Sequence, residues 1–344
     1  MKAALVALAA GAVLAASLAQ PAMARERTYY VAADDVIWNY APSGTNLVNA
    51  TALPPLSHGQ LGWSYHKLLY REYTDATFRA LAPLATDHRY LGFLGPLMRA
   101  EVGDTIVVVL KNHTKQPLDI APHGLVVVSA PSKPLAPGGA GTYRWAVTGH
   151  AGPGPSDDSS FLWTYTPSNR TSGMMASGLI GPIIVTRRGM ARADGSPTDV
   201  DREFVIGFRE EDESESVTLP ESVADTATNP RHVPMKLAAI PFGTNAFVSL
   251  NGFEFGNMPM LTLHRGERVR WYLFSSESTF DFHAPTWTGN TVLWNGQRAD
   301  TIALGVSDRA IADMVPDALG VWKIYCTLNI HLAGGMEARY TVVP

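Results

Sequence analysis

Short runs rich in valine, isoleucine, tyrosine, tryptophan and threonine alternate along this chain with clusters of glycine, proline, asparagine and serine. No long segment after the extreme N-terminus keeps a helical period. Runs of this length and composition, punctuated by turn residues, read as strands. Thr105–Leu110, Gly124–Ser129, Leu179–Val185, Val269–Phe274 and Arg339–Val343 are examples. The pattern predicts an all-β chain built as two-sheet sandwiches with Greek-key connections. With 344 residues, 46% hydrophobic and only 17% charged, the chain can bury a sizeable core and does not have the composition of a disordered segment.

An internal repeat predicts two such sandwiches. Pro96 is followed seven residues later by Gly103-Asp104 and a strand, and Pro259 seven residues later by Gly266-Glu267 and a strand. The stretch Arg187–Asp201 carries glycine, serine, proline and charge but few large apolar residues, which suits a join. The expected organisation is therefore a leader at 1–24, a first sandwich domain at 27–190 and a second at 201–344.

The leader reading rests on Lys2, the apolar stretch Ala3–Ala19 and the Ala22-Met23-Ala24 cleavage pattern. It implies export, so the mature chain is expected to be secreted or periplasmic, and no later stretch is apolar for long enough to span a bilayer. Twenty-seven basic against thirty-one acidic residues give no basic surface for nucleic acid. In an oxidising compartment cysteines normally occur in pairs, yet Cys326 is alone. An unpaired thiol there is either a buried small hydrophobe or a metal ligand.

Its neighbours favour the ligand. Cys326, His331 and Met336 form a C-x4-H-x4-M pattern between two predicted strands. Thiolate, two imidazoles and a weak axial thioether are the ligand set of a blue, type 1 copper site. The second imidazole is assigned to His283 on an earlier strand; the competitor, His264, precedes Gly266 in the repeat, where Glu101 stands in the first copy, and reads as a surface turn residue. Strand alternation points Trp322, Ile324 and Cys326 into the sandwich and Tyr325 and Thr327 away from it. The metal assignment is thus His283, Cys326, His331 and Met336, with one copper per chain. Trp287, Trp322 and Leu332 would supply an apolar shell, and His331 the exposed edge for electron exchange.

The chain resembles the ceruloplasmin and hephaestin branch of the multicopper oxidases. The matching stretches are Tyr90–Pro96 with Ala100–Asp104, Ser177–Pro182, Asp201–Val205, Gly289–Leu293 and His331–Met336. The resemblance implies cupredoxin domains and, for a two-domain member, a homotrimer. It also implies four H-x-H pairs holding a trinuclear copper cluster. At the positions resembling those pairs stand Ala121 and His123, Thr286 and Thr288, Thr166 and Ser168, and Tyr325 and Thr327. One histidine in eight cannot hold three copper ions, and hydroxyls are poor copper ligands beside imidazole. The expectation is no trinuclear cluster, with His123 bonded locally. A mononuclear interface copper drawing on His113, His150 or a neighbouring subunit is the alternative.

Three functions remain open on the sequence: one-electron transfer with a redox partner protein or small donor and acceptor, an oxidase of the laccase or ferroxidase kind with a remodelled centre, and copper sequestration. The first domain has no cysteine, so no type 1 site, and Met174-Met175 read as packing residues. The run Arg209–Glu215, with five carboxylates, reads as a solvated loop. Asn49, Asn112 and Asn169 head glycosylation sequons that matter only in a glycosylating cell.

Overall fold

A computed structural model describes residues 24–57, 59–227, 243–275 and 282–344. The leader expected at 1–24 lies, but for Ala24, outside the described residues. The described chain is built mainly of strands, and its helices are short: α1 (Ser172–Ala176), α2 (Leu219–Ala227) and α3 (Asn329–Ala333).

Four sheets carry the fold. The first has the order β4 (Ser64–Tyr73), β1 (Glu26–Asn39), β6 (Thr105–Asn112), β9 (Ala140–Ala146), β8 (Val126–Ser129). The second runs β5 (Met98–Glu101), β11 (Gly181–Thr186), β10 (Ser160–Thr166), β7 (Ala121–Pro122). The third runs β13 (Ala246–Leu250), β12 (Arg202–Asp212), β15 (Val269–Ser275), β19 (Arg309–Met314), β17 (Val292–Trp294), β18 (Gln297–Ala299). The fourth runs β14 (Leu261–His264), β21 (Glu337–Val343), β20 (Gly320–Cys326), β16 (Pro285–Trp287). A small ribbon pairs β2 (Thr45–Asn46) with β3 (Thr51–Ala52).

The third and fourth sheets repeat the first and second. Each pair has one parallel contact per sheet at matching places: β1 with β6 and β12 with β15, β11 with β5 and β21 with β14. The repeat reaches single residues. Gly124 and Gly289, at φ +74° and +77°, lie flat on the indoles of Trp163 and Trp322, where a Cβ would come within 2.3 and 2.1 Å of ring carbons. Only glycine tolerates both the left-handed backbone and that approach. Each indole then donates to a backbone carbonyl, Trp163 Nε1 to Ala151 at 2.7 Å and Trp322 Nε1 to Ala318 at 2.8 Å. All-β cupredoxin-type sandwiches are thus what the turn-punctuated sequence forms.

Two apolar clusters fill the molecule. One lies inside the first sandwich, around Ile106, Trp145, Tyr165 and Ile183. The other fills the second sandwich around Trp271, Trp287, Ile324 and Tyr340 and continues into Tyr40, Tyr65 and Phe93 of the N-terminal half. Full burial of each large side chain contributes roughly 1.5–3 kcal/mol, so this continuity ties the two halves together.

The acidic run departs from its solvated-loop reading. Residues 209–212 belong to β12, and Arg209, Glu211 and Glu213 are buried. The alternation of a strand sends them to the face covered by the N-terminal half. There Lys67 Nζ pairs with Glu213 Oε1 at 2.5 Å and donates to Tyr40 Oη at 3.0 Å and to the Ala176 carbonyl at 2.8 Å. Arg209 pairs with Glu211 and lies over the Phe93 ring at 5.3 Å. Asn112 is equally far from a glycosylation site: it is buried, and its amide donates to the Gln116 and Leu135 carbonyls at 2.8 and 2.9 Å. Met174 and Met175 are buried on α1, in packing positions.

Candidate metal centre

Antiparallel pairing of β16 with β20 sets the registers Pro285↔Cys326, Thr286↔Tyr325 and Trp287↔Ile324. That register brings His283, two residues before Pro285, beside the end of β20, and reciprocal backbone bonds with Leu304 at 2.8 and 3.0 Å fix it there. On β20 the alternation holds: Ile324 and Cys326 are buried, Tyr325 is partly exposed and Thr327 exposed. The chain then folds into α3, a single turn that directs His331 inward, and returns as β21. Gly335, at φ +91°, makes the exit under the Phe255 ring, where a Cβ would meet ring carbons at 2.7 Å. The Cys326 N–H donates to the Met336 carbonyl at 3.1 Å and the Met336 N–H to the His331 carbonyl at 2.9 Å. All three residues of the C-x4-H-x4-M pattern are thereby tied to one another through backbone.

The ligand atoms of His283, Cys326 and His331 all lie within 4.8 Å of one another, and all three residues are buried. His283 Nδ1 is 3.2 Å from His331 Nδ1, and Cys326 Sγ is 3.4 Å from His331 Nδ1. Met336 is fully buried. The sulfur accepts the Ala284 N–H at 3.4 Å. Phe208 packs on the His283 ring with centroids 5.7 Å apart. Trp287 is buried, whereas Trp322 and Leu332 are partly exposed. The donor chemistry, two imidazole nitrogens facing one sulfur in a dry site, fits a type 1 copper ion. His264 is remote from this group, exposed at the end of β14 with Nδ1 3.2 Å from the Pro344 carbonyl.

His331 differs from its expected role as an exposed edge: it has 0% exposure. The reason is Glu210 on β12, whose Oε1 lies 3.0 Å from His331 Nε2. Burial alone would lower the imidazole pKa, but bonds to Cys326 and Glu210 overturn that and hold it at about 9. The carboxylate also fixes which ring nitrogen faces the sulfur. Nothing in the spacing of the C-terminal pattern indicates Glu210, which comes from a strand far away in sequence. The alternation Phe208, Glu210 on one face of β12 is the signal that could have found it.

Two family models, both described as multicopper oxidase, match the chain, one over residues 91–189 and the other over residues 226–344. Human ceruloplasmin is 35% identical to the chain over 92% of the chain's length and 32% of its own. Mouse hephaestin is 34% identical over 92% of the chain and 29% of its own length. The chain belongs to the multicopper oxidase family. Within it the similarity is to ceruloplasmin and hephaestin, of whose length the chain spans about a third. Among solved structures, a multicopper oxidase superposes with a TM-score of 0.58 at 18% identity, over 92% of this chain and 89% of its own. A copper nitrite reductase from Nitrosomonas europaea gives 0.59 at 18% identity, over 92% and 94%. Both share the cupredoxin fold.

Five of the eight positions that resemble the histidine pairs of other multicopper oxidases, His123, Thr166, Ser168, Thr286 and Thr288, make local bonds. His123 Nε2 lies 3.1 Å from Thr166 Oγ1. Ser168 donates its N–H to Asp119 at 2.8 Å and bonds the same carboxylate through Oγ. Thr286 Oγ1 is 3.0 Å from the Ala284 carbonyl, and Thr288 Oγ1 accepts the Lys323 N–H at 2.8 Å. His113 is bound instead to Asp34 at 2.7 Å, and His150 sits on an exposed turn. No described helix is long and apolar enough to cross a membrane.

Proposed function

We propose that the chain is an exported type 1 copper protein that transfers single electrons, with one copper held by His283, Cys326, His331 and Met336 and no trinuclear cluster. The observation that carries this reading is the convergence of two imidazoles and one sulfur within 4.8 Å in a buried site. Copper bound there would supply a one-electron redox change. The protein's part is to hold the ligands still through it: β16 and β20 fix His283 and Cys326, the α3 turn fixes His331, and Glu210 orients the His331 ring. The Ala284 N–H donates to the sulfur and fixes its position, and burial keeps water off the donors. Electrons would cross to a donor or acceptor past Glu210, the partly exposed group outside His331.

The absence of a cluster follows from the residues at its family positions, seven of which are not histidine and bring hydroxyls, a methyl group or a phenol in its place. Family membership supports the second reading, an oxidase with a remodelled interface copper. The resemblance also supports a homotrimer, and the leader supports secretion or a periplasmic location.

Copper analysis with electron spin resonance decides between the readings. One ion per chain with narrow hyperfine splitting, and rapid reversible reduction without oxygen uptake, is the expected result. Several coppers per chain, or oxygen consumption with an aromatic or ferrous donor, establishes the oxidase. Bound copper that cannot be reduced establishes sequestration.

A further inference from the structure

Two turns in left-handed backbone lie between β13 and β14. In the first, Asn251 and Gly252, at φ +51° and +84°, close a tight hairpin through reciprocal backbone bonds between Leu250 and Phe253 at 2.9 Å. Asparagine and glycine are the residues that tolerate such angles. The second consists of Phe255 and Gly256, at φ +51° and +70°. A bulky side chain in that region crowds its own backbone, so the conformation persists only where the surrounding contacts impose it. Phe255 is buried, with 5% exposure.

The contacts that impose it lead to Met336. The Phe255 N–H donates to the Gly335 carbonyl at 2.8 Å, and the Gly256 N–H to the Glu337 carbonyl at 3.1 Å. These bonds grip the chain on either side of Met336, whose own N–H and carbonyl are committed to His331 and Cys326. The Phe255 ring covers Gly335 so closely that a Cβ there would lie 2.7–2.8 Å from three ring carbons, and Trp63 packs edge-on against the same ring with centroids 5.7 Å apart. On its other side the turn is held by the N-terminal half. Leu47 N–H donates to the Phe255 carbonyl and Glu254 N–H to the Tyr40 carbonyl, both at 2.9 Å. The Asn257 amide accepts the Ser43 N–H and donates to the Thr45 carbonyl, both at 3.0 Å. The angle φ sets the direction of a residue's N–H relative to its carbonyl, so an ordinary negative φ at residue 255 would not aim both groups at Gly335 and Leu47.

We infer that Phe255 is a positioning residue for the metal centre: its strained turn and its ring set where Met336 stands relative to Cys326 and His331. The inference rests on the copper reading above, in which Met336 is the axial ligand. A weak axial bond is the one most easily altered by a small movement of its loop, and it tunes the potential rather than holding the ion. Phe255 should therefore govern the potential and not the copper content. Because residues 40–47 brace the turn, the N-terminal half has a route to the potential of a copper it does not bind.

Phe255→Ala keeps the backbone bonds but uncovers Gly335. In the copper-loaded full chain it should shift the reduction equilibrium about tenfold, or 59 mV for one electron, in a redox titration, with one copper per chain retained. In the metal-free chain the Met336 amide should exchange about tenfold faster, while the Ile324 amide on β20 keeps the parent rate. Phe253→Ala controls for packing alone: that ring lies in the same connection, against Trp38 with centroids 5.0 Å apart, and its loss should lower stability while leaving the potential and Met336 exchange as they were. Phe255→Leu, which keeps bulk without a flat face, should move both readouts in the same direction as Phe255→Ala and replaces it should that variant not fold. A parent-like potential and parent-like Met336 exchange in the Phe255 variants overturn the inference, as do equal shifts in Phe253→Ala. A parent chain that takes up no blue copper instead overturns the copper reading, and Met336 exchange in the metal-free chain then decides whether Phe255 holds the loop.

Discussion

At the scale of single residues, the copper reading makes Cys326, Met336 and Glu210 do different work, and substitution separates them. Cys326→Ser should abolish the intense thiolate-to-copper absorption and most of the bound copper, measured by visible spectroscopy and metal analysis. Met336→Leu should keep the copper and shift its potential, because the axial thioether bond is long and weak. Glu210→Gln should keep both copper and colour and raise the potential, since a negative charge beside a ligand imidazole stabilises the more positive oxidation state. One charge at several ångströms in a medium of effective dielectric near 20 is worth on the order of 2 kcal/mol. An unchanged potential in Glu210→Gln, measured by redox titration, would remove the carboxylate from the site. The meeting of His283, Cys326 and His331 was legible because a lone cysteine five residues before a histidine is chemically particular and strand order brings an earlier histidine beside it; that Met336 completes the set remains the proposal. Glu210 was not legible, because a glutamate in an acidic run carries no such signature until the strand that points it is known.

At the scale of elements, β12 shows why the acidic run misled. A loop and a strand end can share one composition; what distinguishes them is whether alternate side chains find partners. Here Glu213 finds Lys67 on β4, both with 0% side-chain exposure. Removing one member of a buried pair strands the other, at a cost of about 3–5 kcal/mol. Lys67→Met should therefore lower the free energy of unfolding by about that amount in denaturant titration, and adding Glu213→Met should recover much of it. The helix α2 is docked by a different device. His66 on β4 lies 2.8 Å from Asp35 through Nδ1 and 2.8 Å from Asp225 through Nε2. Burial lowers the His66 pKa, but the two carboxylate bonds more than reverse this and raise it above 6.5. A raised folded value means that the stabilisation is complete below the unfolded value and is lost as pH climbs through the folded one. Raising pH above 6.5 should thus lower the melting temperature and speed amide exchange in α2, and His66→Gln should flatten that slope. A slope that persists in the variant would place the titration elsewhere.

At the scale of the whole molecule, the repeat makes an unpaired edge conspicuous. In the second half, β17 continues into β18, and Val292 is fully buried. Its counterpart β8 is the last strand of the first sheet among the described residues, and Val126, Val127 and Val128 stand 51, 48 and 61% exposed. Consecutive apolar residues on a bare edge invite pairing with another chain, and soluble proteins ordinarily blunt such edges with charge. The sequence showed this segment as a strand but not as an edge, since position in a sheet depends on which distant strand lies alongside. A second copy covering β8 accords with the proposed homotrimer, in which each protomer offers the same edge to a different surface of its neighbour. Val127→Lys should then shift sedimentation from trimer to monomer while the copper spectrum, governed by residues of the other sandwich, stays as it was. A variant that still sediments as a trimer would move the interface away from β8, and a parent chain that sediments as a monomer would remove the trimer itself.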